Sequence, residues 1–268
     1  MPNGQLHKFP LDIENEIRVL TRVKVFAVIP ARYGSTRFAG KVLAKDTGKF
    51  LIQHTYERAR LAKLPDKIII AADDERVVTA AESFAAECVL TSVEHQSGTD
   101  RIAEAVADTD VDIVVNLQAD EPEMDPKNID YLAELLMKNP DYPMATLAAE
   151  FKTARQVADP NIVKVVLDRN GGAIYFSRCP IPYDRERAGI GEVKQYLRHI
   201  GIYAYRKGFL LKITSLPQTP LEKFEKLEQL RAIENGYPIL VGKVEHTCDG
   251  IDTPEQYAEF VKRVRQRN

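Results

Sequence analysis

The first half of the chain alternates between short apolar runs and segments in which apolar residues recur at helical spacing. Three runs rich in β-branched residues predict buried strands at Val23–Ile29, Lys67–Ala72 and Asp112–Leu117. The intervening segments predict helices over 51–63, 77–86 and 98–107, with a short strand over 87–91. Strands that are apolar throughout and alternate with helices indicate a mostly parallel sheet with helices on both faces.

From about residue 145 the pattern changes. Val163–Asp168 and Ile174–Ser177 predict strands joined by Asp168–Gly172, which is a strong turn signal, and His199–Arg206 alternates as a further strand. We therefore expect one Rossmann-like α/β domain over 23–268, with a mostly parallel central sheet and an inserted hairpin subdomain at about 150–215. Residues 1–22 are expected to be an N-terminal extension, and Thr253–Arg265 a last helix with Pro254 in its first turn.

Polar residues follow three of the predicted strands. The basic loop over 30–41 follows the first strand, Asp73 follows the second, and Gln118 and Asp120 follow the third. In parallel sheets, ligands bind beyond the carboxyl ends of the strands. The three segments are therefore expected to meet in one crevice.

The loop after the first strand combines small residues, hydroxyl groups and positive charge. Its cations are Arg32, Arg37 and Lys41, and its hydroxyl residues are Ser35 and Thr36. Backbone amides next to small residues can approach an anion, while Arg and Lys neutralise it, so the loop suits a triphosphate. The spacing differs from that of the ATPase P-loop, because Val42 follows the lysine. On this pattern alone, the loop is equally well interpreted as an ordinary solvated turn.

Composition narrows the classes of partner. Charged residues make up 28% of the chain and the net charge is -2, so no strong field attracts nucleic acid or an anionic membrane. The cysteines Cys88, Cys179 and Cys248 are far apart, which argues against a disulfide framework and fits a reducing compartment. No apolar run approaches ~18 residues. We expect a cytoplasmic protein that binds neither nucleic acid nor membrane.

Six motifs in order along the chain carry a family resemblance. They are Pro30–Lys41, His95–Arg101, Gln118–Pro122, Arg198–Arg206, Glu228–Arg231 and Gly250–Pro254. With them the chain resembles the 3-deoxy-manno-octulosonate cytidylyltransferases, also called CMP-Kdo synthetases, from about Lys24 to Val264. Two positions depart from the family pattern: Ala39 stands where the family usually has Pro, and Ala119 where it usually has Gly.

The resemblance implies a nucleotidyltransferase that uses Mg²⁺ to convert CTP and Kdo (3-deoxy-D-manno-octulosonate) into CMP-Kdo and diphosphate. In the family this step activates Kdo for lipopolysaccharide biosynthesis, and the enzyme is a homodimer. The inserted subdomain would carry the sugar acid and the dimer contact.

The resemblance also implies roles for individual residues. The catalytic residues are Arg32, Lys41, Asp120 and Asp252, and the metal ligands among them are Asp120 and Asp252. The nucleotide-binding residues are Ala31, Arg32, Ser35, Thr36, Lys41, Ala72, Asp73, Ser97 and Gln118. The sugar-acid-binding residues are Gln118, Arg178, His199, Tyr203, Glu228 and Gln229.

Other readings of these residues stay open. Asp252 is equally suited to cap the last helix. A lone histidine on a strand, such as His199, is often a packed core residue. His95 and Arg101 flank the start of a helix, and they either bind ligand or organise that loop. His54 and His246 are expected to be structural.

Other functions stay open as well. The same chemistry on an 8-amino Kdo analogue or a sialic-type acid is the main alternative. A nucleotide sensor without turnover is disfavoured by the presence of Lys41, Asp120 and Asp252. A nucleic-acid-binding module is disfavoured by the net charge and by the absence of an aromatic and basic stripe.

Overall fold

Val25–Ala31 (β1) lies near the middle of a nine-stranded sheet in the computed structural model, which describes residues 22–34, 38–245 and 250–267. The predictions for Ser35, Thr36, Arg37, His246 and residues 1–21 lie outside the described residues. The other strands are Lys67–Ala72 (β2), Glu87–Leu90 (β3), Ile113–Asn116 (β4), Met144–Glu150 (β5), Lys164–Leu167 (β6), Ala173–Ser177 (β7), Leu197–Arg206 (β8) and Ile239–Lys243 (β9).

The main path of the sheet runs β3-β2-β1-β4-β8-β5-β9. β1 pairs in parallel with β2 and β4, β2 pairs in parallel with β3, and β5 pairs in parallel with β9. Only β8 on this path is antiparallel to its neighbours β4 and β5. The prediction of a mostly parallel sheet is therefore confirmed.

The strand β8 does not belong to a separate hairpin subdomain, so that part of the prediction is wrong. Leu197–Arg206 pairs along most of its length with the central strands β4 and β5, and only its first residues pair with β6. The β6–β7 hairpin itself is present, with an irregular register beside its turn. An alternating strand pattern cannot tell a hairpin strand from one inserted antiparallel into the central sheet, because both expose and bury the same positions.

Helices cover both faces of the sheet. They are Leu51–Ala59 (α1), Glu75–Glu82 (α2), Gly98–Val106 (α3), Pro126–Lys138 (α4), Ala154–Ala158 (α5), Lys207–Ser215 (α6), Pro220–Glu225 (α7), Leu230–Glu234 (α8) and Pro254–Arg267 (α9). Short 3₁₀ turns occur at Lys41–Leu43 and Val193–Gln195. Among the described residues, no helix is both long enough and apolar enough to cross a membrane.

The strand β1 contributes to two hydrophobic cores. Val25, Ala27 and Ile29 point to one face with α1, α2 and α4, whereas Phe26 and Val28 point to the other with α3 and α6. Because the strand is buried on both faces, its sequence is a continuous apolar run. A smaller cluster packs α9 against the start of α1 through Leu51 and Phe260. This packing brings α9 to the carboxyl end of β1, where the candidate site lies.

Candidate active site

The three polar segments at the ends of β1, β2 and β4 meet as predicted. Asp73 lies at the end of β2, and its carboxylate accepts a hydrogen bond from the Tyr33 amide (2.8 Å). It also faces the fully buried guanidinium of Arg101 at 3.4 Å. Arg101 in addition donates to the Thr91 hydroxyl (2.6 Å) and the Ser92 carbonyl (3.2 Å). Arg101 thus holds the start of the loop before α3 against Asp73, which supports the interpretation that Arg101 organises this loop.

Lys41 joins the basic loop to both predicted metal ligands. Its ammonium group lies 2.5 Å from Asp120 Oδ2 and 3.0 Å from Asp252 Oδ1, and it donates to the Ile251 carbonyl at 3.1 Å. Gly40, just before it, has φ of 65°, a left-handed conformation that glycine adopts at little cost. Burial lowers the pKa of Lys41, but the charges and hydrogen bonds of Asp120 and Asp252 more than offset this, so the pKa lies above its ordinary value of 10.5.

Backbone and hydroxyl contacts hold the two aspartates in place. The Ile251 amide donates to the Asp120 carbonyl at 2.8 Å, and the Thr55 hydroxyl of α1 donates to the Ala119 carbonyl at 3.0 Å. Because the Ile251–Asp120 hydrogen bond joins the two backbone segments directly, one lysine can contact both aspartates.

The cap of the last helix is Thr253, since its hydroxyl accepts a hydrogen bond from the Gln256 amide at 3.3 Å. The Gln256 side chain in return accepts from the amides of Asp252 (2.7 Å) and Thr253 (3.0 Å). This reciprocal arrangement is a capping box. The Asp252 carboxylate is therefore turned toward Lys41 and does not cap the helix.

Two carboxylates at one place suit a hard cation that takes its other ligands from phosphate and water, as Mg²⁺ typically does. Within residues 22–34, 38–245 and 250–267, no group of three or more His, Cys, Asp or Glu side chains has the arrangement of a metal site. The donor set therefore fits a metal that arrives with a nucleotide better than a closed structural site.

The remaining predicted nucleotide residues lie around this cluster. Ala31 and Ala72 are fully buried at the ends of β1 and β2, and Arg32 is exposed beside them. Ser97 caps α3: its hydroxyl accepts from the Asp100 amide (3.1 Å), while its own amide donates to the Asp100 carboxylate (3.2 Å). His95 contacts Glu104 of the same helix.

Next to this cluster, β4, β8 and the segment before α8 enclose a cavity of about 300 Å³. Four of the predicted sugar-acid residues line it: Gln118, Tyr203, Glu228 and Gln229. Gln118 donates to the Gly201 carbonyl at 3.0 Å, where the register of β8 against β5 is irregular. Burial raises the pKa of Glu228 above its ordinary 4.5, and the Thr99 hydroxyl and the Arg231 charge offset only part of this rise.

His199 lies behind the cavity wall. Its Nε2 is 3.0 Å from the Thr146 hydroxyl, which donates its own proton to the Ile202 carbonyl at 2.8 Å. The tautomer with its proton on Nε2 satisfies both groups, since Nε2 then donates to the Thr146 oxygen while the Thr146 hydroxyl donates to a carbonyl. The imidazole packs at 5.4 Å from the Tyr203 ring, and burial lowers its pKa from 6.5 to about 3. His199 is a neutral side chain that supports Tyr203.

The side chain of Arg178 forms hydrogen bonds with backbone carbonyl groups. Its guanidinium donates to the carbonyls of Glu225 (2.7 Å) and Pro160 (3.0 Å), and the Glu225 carboxylate accepts from the Arg178 amide at 3.0 Å. These contacts tie β7 to the end of α7, three residues before Glu228. Of the predicted sugar-acid residues, Arg178 and His199 are not part of the cavity lining.

Sequence reasoning missed four polar residues of the cavity lining: Asn116, Thr99, Tyr205 and Lys226. Asn116 had a recognisable signal, because it is a polar residue in an apolar strand and precedes Gln118 by two positions, which places both on one face. His54, in contrast, lies away from the cavity, where it contacts Thr47 at 2.7 Å and Phe260.

Known proteins resemble the chain over most of its length. The family described as Cytidylyltransferase matches residues 26–243. A 3-deoxy-manno-octulosonate cytidylyltransferase of Solibacter usitatus (strain Ellin6076) is 51% identical over 232 residues, which are 87% of this chain and 91% of that protein. The protein of the same name from Thermodesulfovibrio yellowstonii (strain ATCC 51303 / DSM 11347 / YP87) is 49% identical, over 85% of this chain and 93% of that protein.

A solved structure extends the comparison to three dimensions. The complex of CMP:2-keto-3-deoxy-manno-octonic acid synthetase with CTP has a TM-score of 0.85 and 40% identity, over 91% of this chain and 100% of that one. The fold and the site thus define a cytidylyltransferase, an enzyme that transfers a cytidine nucleotide. Within that class, the chain belongs to the 3-deoxy-manno-octulosonate cytidylyltransferase family.

Proposed function

We propose that the chain catalyses the reaction of CTP with Kdo to give CMP-Kdo and diphosphate. The observation that carries this proposal is the juxtaposition of the Lys41–Asp120–Asp252 cluster with a polar cavity lined by Gln118, Tyr203, Glu228 and Gln229. The reaction requires a site for a charged triphosphate beside a site for a polyhydroxy acid. Gln118 lines the cavity and precedes Asp120 by two residues, so the same segment of chain contributes to both sites.

In this reaction an oxygen of the sugar acid attacks the α-phosphorus of CTP, and the bond from that phosphorus to the diphosphate breaks. Such transfers depend mainly on positioning and on electrostatic stabilisation. Lys41 and Arg32 supply positive charge for the triphosphate. Asp73, held by Arg101 and Tyr33, would contact the sugar or the base of the nucleotide.

Asp120 and Asp252 would hold Mg²⁺, whose chemical contribution is to neutralise phosphate charge as diphosphate leaves. Both carboxylates contact the ammonium group of Lys41, so they lie close enough together to bind one metal ion, and carboxylate oxygens are suitable ligands for Mg²⁺. The family resemblance further supports a cytoplasmic homodimer that provides CMP-Kdo for lipopolysaccharide assembly. Light scattering of the purified chain measures its oligomeric state directly.

A diphosphate-release screen tests the proposed reaction. CTP, UTP, ATP and GTP are each combined with Kdo or its 8-amino analogue, with and without Mg²⁺. We expect release with CTP, Kdo and Mg²⁺ together, and at least about tenfold less with each other nucleotide or with the analogue. Release that is independent of the sugar acid, or no release with any combination, contradicts the proposal.

A further inference from the structure

Asn116 brings a polar amide into the apolar core of the sheet. It ends β4 after Val114 and Val115, which are fully buried, and its own exposed fraction is only 3%. Its Oδ1 atom is buried and has no hydrogen-bond partner among the residues that the structure describes. Buried polar groups are nearly always paired, so an unpaired one that lines a cavity indicates that its partner is a ligand.

Gln229 presents the complementary group in the same cavity. It is 5% exposed, and its Nε2 also has no hydrogen-bond partner within the described part of the chain. Asn116 reaches the cavity from β4, whereas Gln229 reaches it from the segment that precedes α8. The cavity therefore contains an unpaired acceptor on one element and an unpaired donor on another.

The neighbours of Asn116 explain its direction. Asn116 pairs with Tyr203 of β8, and Gln118 follows two positions later on the same side. Asn116, Gln118 and Tyr203 thus form one polar wall, and all three line the cavity. The amide nitrogen of Gln118 donates to the Gly201 carbonyl, whereas the buried oxygen of Asn116 has no hydrogen-bond partner among the described residues, so this oxygen is available to a ligand.

We propose that Asn116 is a sugar-acid-binding residue that, together with Gln229, recognises a neutral hydroxyl group. The inference rests on the proposed function and adds a specificity determinant to it. A hydroxyl donates one hydrogen bond and accepts others, so it satisfies both the Asn116 oxygen and the Gln229 amide group. An ammonium group only donates, so it would leave the Gln229 donor unpaired. The pair therefore favours a hydroxyl over an amine at this position of the sugar acid.

The variants Asn116→Leu and Asn116→Ala test the role. In both, we expect the KM for Kdo to rise about 10- to 100-fold, while the KM for CTP stays within about twofold. Asn116→Leu removes a buried amide oxygen that has no partner, at similar side-chain volume, so the Tm of this variant should equal or exceed that of the unmodified protein. Asn128→Ala is the matched control: Asn128 is a 7% exposed asparagine of α4 outside the cavity, and its loss should leave both KM values unchanged.

Monodeoxy analogues of Kdo decide the matter even if a variant is less stable. If Asn116 binds one hydroxyl of Kdo, the analogue that lacks this hydroxyl should bind the unmodified protein more weakly than Kdo does. Asn116→Ala should bind this analogue and Kdo with nearly equal affinity, because the variant already lacks the contact. Equal losses for every analogue in both proteins overturn the inference, as does an unchanged KM for Kdo in both variants. The proposed function fails separately, if the unmodified protein releases no diphosphate with Kdo.

Discussion

Glu123 and Arg263 form an ion pair that joins the loop carrying Asp120 to the helix that follows Asp252. Arg263 Nη2 lies 2.7 Å from Glu123 Oε2, and Arg267 Nη2 lies 2.9 Å from the other oxygen of the same carboxylate. Glu123 is three residues after Asp120, and α9 begins two residues after Asp252. One acidic side chain thus fixes the helix relative to the loop, and with it the spacing of the two aspartates.

We expect Glu123→Gln to impair nucleotide use more than stability. The pair is partly exposed, so its loss should cost only about 0.2–1 kcal/mol of folding free energy. The KM for CTP should nevertheless rise roughly two- to fivefold, because the two aspartates are then held less firmly. Steady-state kinetics and thermal unfolding measure the two effects. Glu57→Gln removes an ion pair with Lys49 that does not involve the Asp120 loop, and it should leave the KM unchanged. If both variants behave alike, the ion pair has no role in positioning.

Asp120→Asn and Asp252→Asn should each lower kcat by more than about 100-fold, since either change removes charge from a site that balances a triphosphate. Circular dichroism should show an intact fold. Asp110→Asn is the control, because Asp110 is an exposed aspartate paired with Lys24 at the opposite end of the strands. Near-normal rates at saturating Mg²⁺ in either site variant would refute the assignment of that aspartate as a metal ligand.

Lys41→Ala should weaken the use of CTP more than it weakens folding. The lysine contacts both aspartates and, by the proposed function, the triphosphate, so we expect the apparent affinity for CTP to fall about 10- to 100-fold. Titration calorimetry with CTP, alongside Tm, separates the two effects. A collapse of Tm, with full activity in the protein that stays folded, would show that Lys41 is structural.

His199→Gln tests a supporting role for the histidine. Without the packing of His199 on Tyr203, the KM for Kdo should rise several-fold, roughly 1 kcal/mol, while CTP binding stays nearly unchanged. An equal loss for both ligands would mean that His199 holds the fold and not the cavity wall.

The pH dependence of stability provides an independent check on His199. Its pKa is about 3 in the folded protein, against 6.5 as its ordinary value. Well above pH 6.5 the imidazole is neutral in both states, so it adds no pH dependence. As the pH falls from 6.5 toward 3, the unfolded chain binds the proton first, and the folded protein loses stability. The Tm of the unmodified protein should therefore fall more steeply between pH 7 and 5 than that of His199→Gln. Parallel curves would contradict the burial of a neutral imidazole.

The sequence by itself determined the strands that are buried on both faces and the segments that follow them. Lys67–Ala72 was predicted with its observed bounds, because a strand covered on both sides must be apolar throughout. The contacts of the basic loop with Asp73, through Tyr33, and with Asp120, through Lys41, followed from the rule that ligands bind beyond the carboxyl ends of parallel strands. These features depend only on the local hydrophobic pattern and on the parallel direction of neighbouring strands.

Only the tertiary structure decided how distant segments share one site. The placement of β8 between β4 and β5 is a long-range pairing that its alternating pattern does not encode, and it sets His199 behind Tyr203 and not in the cavity. Thr253 caps the last helix while Asp252 contacts Lys41, and the sequence alone does not distinguish these two roles because the two residues are adjacent. Asn116 and Gln229 are far apart in sequence, and their unpaired groups become a feature only when the fold encloses them in one cavity.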